Sequence, residues 1–338
     1  MSIKNEVMRY SKLLGNDSML VQGAGGNVSW KEGDILWIKA SGTWLADAEN
    51  SEIFMPLSLV KIRQLIDEGV SDFTSACLPS YLRPSIETSL HALLPHTIVV
   101  HVHAVEVIAR AVVDNAGAYL EKLLAGLNWT WVDYVTPGLD LTIKIREIIA
   151  NKSFPDVIIL GNHGLVVAGE SVEQVDALLR SVLIRCKTEP RFLHNASKEN
   201  LDGLGAEWEG TGYCLPNNSY YHALSFDAIS LILARHKWVM YPDHAIFLGG
   251  YATFKNNQLP REFVASLTNH PPFIIIESRG IVVSEGLSPG QNAMIRCYLD
   301  VTSRLSNPKN VVSLSEEQIN KLLGWDAEQY RQMINIPN

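Results

Sequence analysis

Three histidines stand at positions whose spacing could hold one metal ion. His101 and His103 are separated by a single residue in the valine-rich residues 97–102, which we predict to form a buried β-strand. Side chains at positions i and i+2 of a strand point to the same face, so two imidazoles there could share a cation. His163 follows the apolar residues 157–160 and precedes a glycine. Each histidine alone could equally be structural, but three together are the donor set of a catalytic zinc site.

Glu87 is the carboxylate that could act beside such a metal. It lies after Pro84, in the first turn of a predicted helix that leads into the His101 strand. Removing a proton next to a carbonyl group requires a base near the carbon and an electrophile on the oxygen, and Glu87 with a metal would supply both. The alternative is that Glu87 only interacts with the helix dipole. His91, one turn later, is predicted to be structural rather than a ligand.

Two short segments have the composition of anion sites. The glycine loop, residues 22–29, offers backbone N–H groups, and the hydroxyl turn, residues 40–43, offers Ser and Thr side chains after a predicted strand. Arg83 and Ser85 add a guanidinium and a hydroxyl just before Glu87. The glycine loop lacks the Lys-Ser/Thr pair of a P-loop and the following helix of a dinucleotide site, which argues against nucleotide binding. Each segment could equally be a plain turn.

Alternating strands and helices must position these residues. Hydrophobic periodicity and turn residues predict helices over residues 2–14, 57–68, 85–94, 105–113, 139–151, 172–185, 225–236, 289–305 and 314–334. They predict strands over residues 27–30, 35–40, 97–102, 157–160, 165–168, 245–248, 273–277 and 280–284. The last helix is expected to be capped at Ser313. Residues 187–218 show little periodicity and are predicted to be a linker or a long crossover.

The composition is that of a globular protein of about two domains. Its 338 residues are 47% hydrophobic and 19% charged, which excludes disorder as the dominant state. The net charge of −8 argues against nucleic acid or an anionic membrane as a partner. The first residues carry charges and no apolar signal segment, no run approaches the length of a membrane span, and the four cysteines form no CxxC pair. We therefore expect a soluble, cytoplasmic protein.

Five motifs, in this order, resemble the class II aldolase/adducin family over roughly residues 5–190. They are Gly26-Asn27-Val28-Ser29, Ser41-Gly42, Ser85-Ile86-Glu87, His101 with His103, and His163-Gly164. Residues 83–88 and 134–140 are similar to the branch that contains rhamnulose-phosphate aldolase. The resemblance implies an α/β fold in which a three-layer αβα domain surrounds a central, mostly antiparallel sheet. It assigns residues 1–200 to this catalytic domain and leaves residues 201–338 as a smaller C-terminal α/β subdomain of unknown role.

The resemblance also implies an activity and a site. A divalent metal, usually Zn²⁺, would be held by His101, His103 and His163, and Glu87 would be the catalytic acid/base. The reaction would be the reversible cleavage of a sugar 1-phosphate, or a related ketose, to dihydroxyacetone phosphate and an aldehyde. The ligand would be a small-molecule sugar phosphate, and the assembly a homo-oligomer, commonly a tetramer. A larger set would bind the phosphate: Gly26, Asn27, Ser41, Gly42, Arg83 and Ser85.

Two departures from the family pattern affect the phosphate site. Ala24 and Ile86 stand where many family members carry a hydroxyl, which leaves the need for a phosphate open, and Arg83 could compensate. The alternative functions are a sugar-phosphate 4-epimerase, a sugar-acid-phosphate decarboxylase and a non-catalytic adducin-like module. Glutamate at position 87 favours an aldolase over the epimerases, which tend to carry aspartate. The retained histidines disfavour the module.

Overall fold

The computed structural model describes residues 2–150, 153–191 and 198–324. The chain divides into two compact units, the first made of Met1–Ala111 with Asn115–Lys187 and the second of Val112–Asp114 with Thr188–Asn338. All four cysteines are free thiols. Among the described residues, none of the helices combines the length and the apolar character that crossing a membrane requires.

A seven-stranded sheet forms the centre of the first unit. Its strands are β1 Asn27–Glu32, β2 Ile35–Lys39, β3 Phe54–Ser58, β4 Ile98–Val102, β5 Trp129–Val132, β6 Val157–Leu160 and β7 Gly164–Gly169. They lie in the order β3-β2-β1-β4-β7-β6-β5. Every neighbouring pair is antiparallel except β5 with β6, which is parallel. The expectation of a mostly antiparallel central sheet is confirmed.

Two groups of helices pack on this sheet. The helices of the first unit are α1 Ile3–Gly15, α2 Leu59–Asp67, α3 Thr88–Leu93, α4 Val105–Ala111, α5 Ala116–Leu123, α6 Leu139–Ile149 and α7 Val172–Cys186. Val99 of β4 is buried in one core cluster with Leu90 of α3 and Ile145 of α6. The alternate residues of β4 point to the opposite face, where α7 contacts β4 and β7 and also packs against α1 and α4. The three-layer αβα arrangement is therefore confirmed.

Strand pairing brings the candidate residues to one edge of the sheet. Asn27, at the start of β1, lies opposite His101, near the end of β4. On its other side His101 pairs with Val166 of β7, and the turn between β6 and β7 carries His163. Lys31, near the other end of β1, donates a backbone hydrogen bond to Thr97, at the opposite edge of the sheet.

The second unit contains a small sheet and six of the described helices. The strands β8 Tyr213–Cys214, β9 Phe273–Ile276 and β10 Gly280–Ser284 pair antiparallel in the order β8-β10-β9. The helices are α8 Lys198–Trp208, α9 Ala228–His236, α10 Pro242–Leu248, α11 Pro260–Ala265, α12 Pro289–Thr302 and α13 Glu316–Leu323. The α/β character expected of this region is present.

Three predictions for the second unit were wrong. Residues 245–248 belong to α10 and not to a strand, because every residue of α10 is buried and a fully buried helix has no exposed polar face to reveal its period. Residues 187–218 contain α8 and β8 rather than only a linker, since Leu204 and Trp208 of α8 pack into the core of this unit. The last helix is capped by Ser315, not Ser313, and its predicted end at residue 334 lies outside the described residues.

Candidate functional site

His101 lies in β4 and His103 directly follows the last residue of that strand, and their two rings lie side by side. Their Nε2 atoms are 3.1 Å apart, and their ring centroids are separated by 4.9 Å. His101 is fully buried and His103 is 6% exposed. Gln22, which the sequence analysis did not single out, donates from Nε2 to the backbone oxygen of His103 at 3.4 Å.

His163 joins them from the turn between β6 and β7. Its ring centroid lies 4.8 Å from that of His101 and 5.4 Å from that of His103. The turn requires a positive φ of 51° at Asn162, a conformation that asparagine tolerates better than most residues. It also requires a glycine at 164, because a Cβ there would stand 2.7 Å from the carbonyl oxygen of Val102.

The three rings have the donor chemistry of a divalent metal site. One potential ligand atom from each of His101, His103 and His163 lies within 4.8 Å of the others. Nδ1 of His101 is 3.1 Å from the carbonyl oxygen of Leu165 and must donate its hydrogen there, because a carbonyl only accepts. In a neutral His101 ring the lone pair is then on Nε2, the atom that faces Glu87 and His103. Three imidazoles arranged in this way fit Zn²⁺ or another first-row divalent ion.

Glu87 lies directly against this cluster. Its Oε1 is 3.2 Å from Nε2 of His101 and 4.0 Å from Nε2 of His163, and the residue is 8% exposed. A carboxylate oxygen and an imidazole lone pair repel each other unless a proton or a cation lies between them. Glu87 occupies the N-cap position before α3, not the first turn that we expected. The structure therefore brings the four candidate residues Glu87, His101, His103 and His163 together.

Ser85 links the Glu87 segment to the glycine loop. Its Oγ accepts hydrogen bonds from Nδ2 of Asn27 at 2.8 Å and from the backbone N–H of Glu87 at 3.2 Å. A serine hydroxyl has two acceptor lone pairs and one donor hydrogen. Because both lone pairs are engaged, the hydrogen of the Ser85 hydroxyl is the group that can still donate, as an anionic oxygen would require.

Of the remaining candidate residues, Gly26 lies against the backbone of His101, whereas Ser41 and Gly42 belong to the hydroxyl turn. Gly26 has φ +65°, and a Cβ on it would lie 3.0 Å from the carbonyl oxygen of His101. Gly42 has φ +77° in the hydroxyl turn. The backbone N–H of Ser41 donates to the carbonyl oxygen of Arg83 at 3.0 Å, so it is engaged within the protein. The Arg83 residue itself is exposed.

Two other histidines are fully buried and do not belong to the group of three possible ligands. His91 is fully buried, with Nδ1 2.7 Å from Oγ of Ser29. Burial, with smaller contributions from nearby positive groups, holds its pKa well below the ordinary value. His244 of the second unit is also fully buried, with its ring against Trp238 and Tyr298. The arrangement of His91 agrees with the structural role that we predicted for it.

Lys39 is a residue that the sequence analysis missed. It ends β2, is only 3% exposed, and donates from Nζ to the carbonyl oxygens of Ala24 at 3.0 Å and Thr43 at 2.8 Å. The signal in the sequence was a lysine within the otherwise apolar residues 35–40, since lysine is rarely part of a buried strand.

Comparison with known proteins places the first unit in a family. The family model described as the class II aldolase and adducin N-terminal domain matches residues 5–188. The chain belongs to this family. The match spans nearly all of the first unit and ends where the second begins. The resemblance noted from the five motifs is thereby confirmed.

Individual relatives cover about half of the chain. A protein of Bacillus subtilis named as an uncharacterized oxidoreductase, YuxG, is 36% identical over 185 residues, which are 50% of this chain but only 27% of the relative. The chain thus spans about a quarter of that protein. An L-fuculose phosphate aldolase of Methanococcus vannielii is 27% identical over 171 residues, covering 47% of this chain and 80% of the relative.

One solved structure similar to the first unit is the N-terminal class II aldolase domain of a conserved protein from Thermoplasma acidophilum. It shares 29% sequence identity and a TM-score of 0.48, and the comparison covers 55% of this chain and 92% of that one.

Proposed function

We propose that the protein is a metal-dependent aldolase that cleaves a sugar 1-phosphate, or a related ketose, to dihydroxyacetone phosphate and an aldehyde. The observation that carries this proposal is the position of the Glu87 carboxylate, 3.2 Å and 4.0 Å from the Nε2 atoms of His101 and His163. An acid/base at that place can exchange a proton with the carbon whose bond is broken. The relative named L-fuculose phosphate aldolase supports the same class of reaction.

His101, His103 and His163 would hold the metal, for which we propose Zn²⁺. When bound, the ion would act as a Lewis acid on the substrate oxygens beside the bond that breaks. The Leu165 carbonyl fixes the tautomer of His101, and near-complete burial keeps competing water away from the three rings. In the cleavage direction the hydroxyl group beside the breaking carbon–carbon bond would lose its proton as the aldehyde forms, and Glu87 in its acid form would supply a proton to the carbon of the phosphorylated fragment.

The anion end of the substrate would be bound by the segments around Ser85. The Ser85 hydroxyl would donate to a substrate oxygen, because Asn27 and the Glu87 backbone already occupy its lone pairs. Gly26 and Gly42 permit a close approach of the backbone, since neither carries a side chain. The exposed Arg83 would add a guanidinium at the entrance.

The experiment that tests the reaction is the substitution Glu87→Gln, compared with Glu32→Gln at the exposed end of β1. We expect Glu87→Gln to keep its bound metal and to lose aldehyde release about 100- to 10,000-fold, the usual contribution of a general acid/base. Glu32→Gln should behave as the parent protein. The assay is a panel of sugar 1-phosphates, with the unphosphorylated sugars beside them, and metal content is measured by elemental analysis.

Product analysis distinguishes the alternative activities of the family. An epimer as the product would indicate a 4-epimerase, and released carbon dioxide a decarboxylase. Full aldehyde release by Glu87→Gln would contradict the assignment of Glu87. A parent protein that binds no metal and converts none of these substrates would favour an adducin-like module instead.

We further propose that the two units are two domains, the first catalytic and the second of a role we leave unassigned. Because α8 runs through residue 200, the boundary belongs between Lys187 and Thr188 rather than at residue 200. The proposed assembly is a homotetramer, and the proposed location is the cytoplasm.

A further inference from the structure

Lys31 of β1 is a half-buried lysine whose positive charge has little to stabilise it. Its Nζ donates to one carbonyl oxygen, that of His96, at 2.7 Å. Among the residues that the structure describes, no carboxylate lies within ion-pair distance of this Nζ. An ammonium group has three hydrogens to donate, and water satisfies all of them. Partial burial with a single acceptor therefore favours the neutral amine over the ammonium form.

The charged groups around Lys31 also favour the neutral amine. Arg63, on α2, disfavours a second cation beside it, and its effect exceeds the opposing effect of Glu170, which follows β7. The carboxylate of Glu170 accepts a hydrogen bond from the hydroxyl of Thr97. Burial first, and then Arg63, lower the pKa of Lys31 from its ordinary value of 10.5 to about 7.

A neutral lysine is a nucleophile, whereas an ammonium group is not, because its proton occupies the nitrogen lone pair. A lysine of ordinary pKa is neutral in only about one molecule in 2,500 at pH 7, so Lys31 has on the order of a thousandfold more neutral amine. The side chain is half-buried rather than enclosed, so solvent and small dissolved electrophiles have access to it.

The positive charge of Arg63 favours one class of electrophile over the others. Acylation of the amine gives a neutral amide, which gains no attraction from a neighbouring cation. Addition of carbon dioxide gives a carbamate, whose carboxylate is an anion. The repulsion between Lys31 and Arg63 is thereby replaced by an attraction. Carbon dioxide is also small enough to suit a half-buried amine.

We propose that Lys31 is a modification site for carbon dioxide, with which its neutral amine forms a carbamate. The Nζ lone pair forms a bond to the carbon of carbon dioxide, and one C=O π electron pair moves to oxygen. The nitrogen then releases one proton to water, which leaves an uncharged nitrogen that carries a carboxylate of charge −1. The reverse reaction needs only a proton, so the extent of modification follows the concentration of dissolved carbon dioxide.

The proposed modification does not depend on the aldolase reaction. Lys31 and the residues around it lie at the edge of the sheet opposite to the one where Asn27 pairs with His101. No step of carbamate formation uses the histidine cluster or Glu87. The inference can therefore hold or fail whether or not the protein cleaves a sugar phosphate.

The test uses the full-length protein in buffer that contains carbon-13-labelled carbon dioxide at pH 7. An oxonium alkylating reagent converts carbamates to stable esters, and peptide mass spectrometry locates them. Lys31→Met removes the amine. Lys61→Met is the matched control, because Lys61 is a lysine of the same unit whose Nζ donates to Oε1 of Gln64 at 3.1 Å on the protein surface. Thermal melting checks that each variant is folded.

Two further variants test the effects of the neighbouring charges. Arg63→Gln should lower the yield of carbamate at Lys31 about two- to tenfold, because it favours the ammonium form and removes the cation that attracts the carboxylate. Glu170→Gln should raise the yield by about the same factor, because it removes the opposing charge. The glutamine still offers an oxygen to the Thr97 hydroxyl.

We expect the labelled ester at Lys31 to exceed that at Lys61 at least about tenfold, as the difference in neutral amine requires. It should be absent from Lys31→Met and unchanged in Lys61→Met. Equal labelling of the two lysines, or an Arg63→Gln variant labelled as strongly as the parent, would overturn the inference. So would a Lys31 that is acetylated by acetyl phosphate but takes up no carbon dioxide, because its nucleophilicity would then be general.

Discussion

Gly164 shows how closely the backbone passes the histidine cluster. A Cβ at this position would lie 2.7 Å from the carbonyl oxygen of Val102, 3.2 Å from Cε1 of His101 and 3.3 Å from Cδ2 of His103. The first of these contacts is with the backbone, which cannot move aside without shifting β4. The glycine after His163 is therefore required mainly by its close approach to the backbone of β4, beside the other two histidines.

We predict that Gly164→Ala destabilises the protein by about 1–3 kcal/mol, the usual cost of an overpacked interior, and weakens metal binding. Denaturant unfolding and metal titration measure the two effects. The control is Gly203→Ala in α8, where a Cβ meets no atom within 4 Å and where replacing a helical glycine should stabilise by about 0.5–1 kcal/mol. Unchanged metal affinity in Gly164→Ala would show that the His163 turn adapts to the added methyl group.

The residues of the candidate site differ in how well the sequence reveals them. The pairing of His101 and His103 can be predicted because the strand period of two places both rings on one face. His163 can be predicted as a candidate because it follows a second apolar strand. No such pattern predicts the position of Lys39, because its ammonium group donates to backbone carbonyl groups of two loops. Contacts between loops follow no spacing rule in the sequence. The hydrogen bond from Asn27 to Ser85 spans 58 residues and also depends on the folded chain.

At the scale of elements, the turn between β6 and β7 determines where His163 lies. Asn162 adopts φ 51°, in the left-handed region, and its backbone N–H donates to the carbonyl oxygen of Ala111 at 3.2 Å. Residues other than glycine, asparagine and aspartate pay roughly 1–2 kcal/mol in this conformation. The backbone conformation of this turn therefore favours asparagine at position 162.

The variants Asn162→Gly and Asn162→Ala separate the backbone effect from the side-chain effect, because both remove the same amide group. We predict that the alanine variant is the less stable by about 1 kcal/mol, since only glycine adopts a positive φ without cost. The alanine variant should also bind the metal more weakly, because a turn that relaxes moves His163. Chemical denaturation and metal titration of the pair are the measurements, and equal values for the two would mean that φ at 162 is not a constraint.

The elements of the first unit could be predicted more fully than those of the second. Strands β4, β6 and β7 are short runs of β-branched and leucine residues bounded by turns, and α7 begins after a capping serine, Ser171, so local signals coincide with the fold. In α10 a fully buried helix shows no amphipathic period. In α8, Gly203 and Gly205 lower the helix propensity of the sequence, and the packing of Trp208 into the core stabilises the helix.

At the scale of the whole molecule, buried neutral histidines link stability to pH. Burial lowers the pKa of His244 to about 3 and that of His222 to about 4, from an ordinary value of 6.5. As the pH falls below 6.5, the unfolded chain takes up protons at both residues while the folded protein does not. The unfolded state is therefore favoured progressively, and the stability that is complete above pH 6.5 is lost toward pH 4.

We predict that the free energy of unfolding falls between pH 7 and pH 5, with His244 and His222 together contributing about 2–4 kcal/mol and His91, whose pKa burial also lowers, adding to this. His244→Phe should remove about 1–2 kcal/mol of this dependence, because it removes one of these groups and keeps a ring of similar shape. Near pH 8 it should change stability little, since neither ring nitrogen of His244 has a hydrogen-bond partner among the residues that the structure describes. The measurement is urea unfolding at several pH values, followed by tryptophan fluorescence. A parent protein whose free energy of unfolding is constant over this pH range would contradict the proposed link between buried histidines and stability. So would a His244→Phe variant with the same pH dependence as the parent.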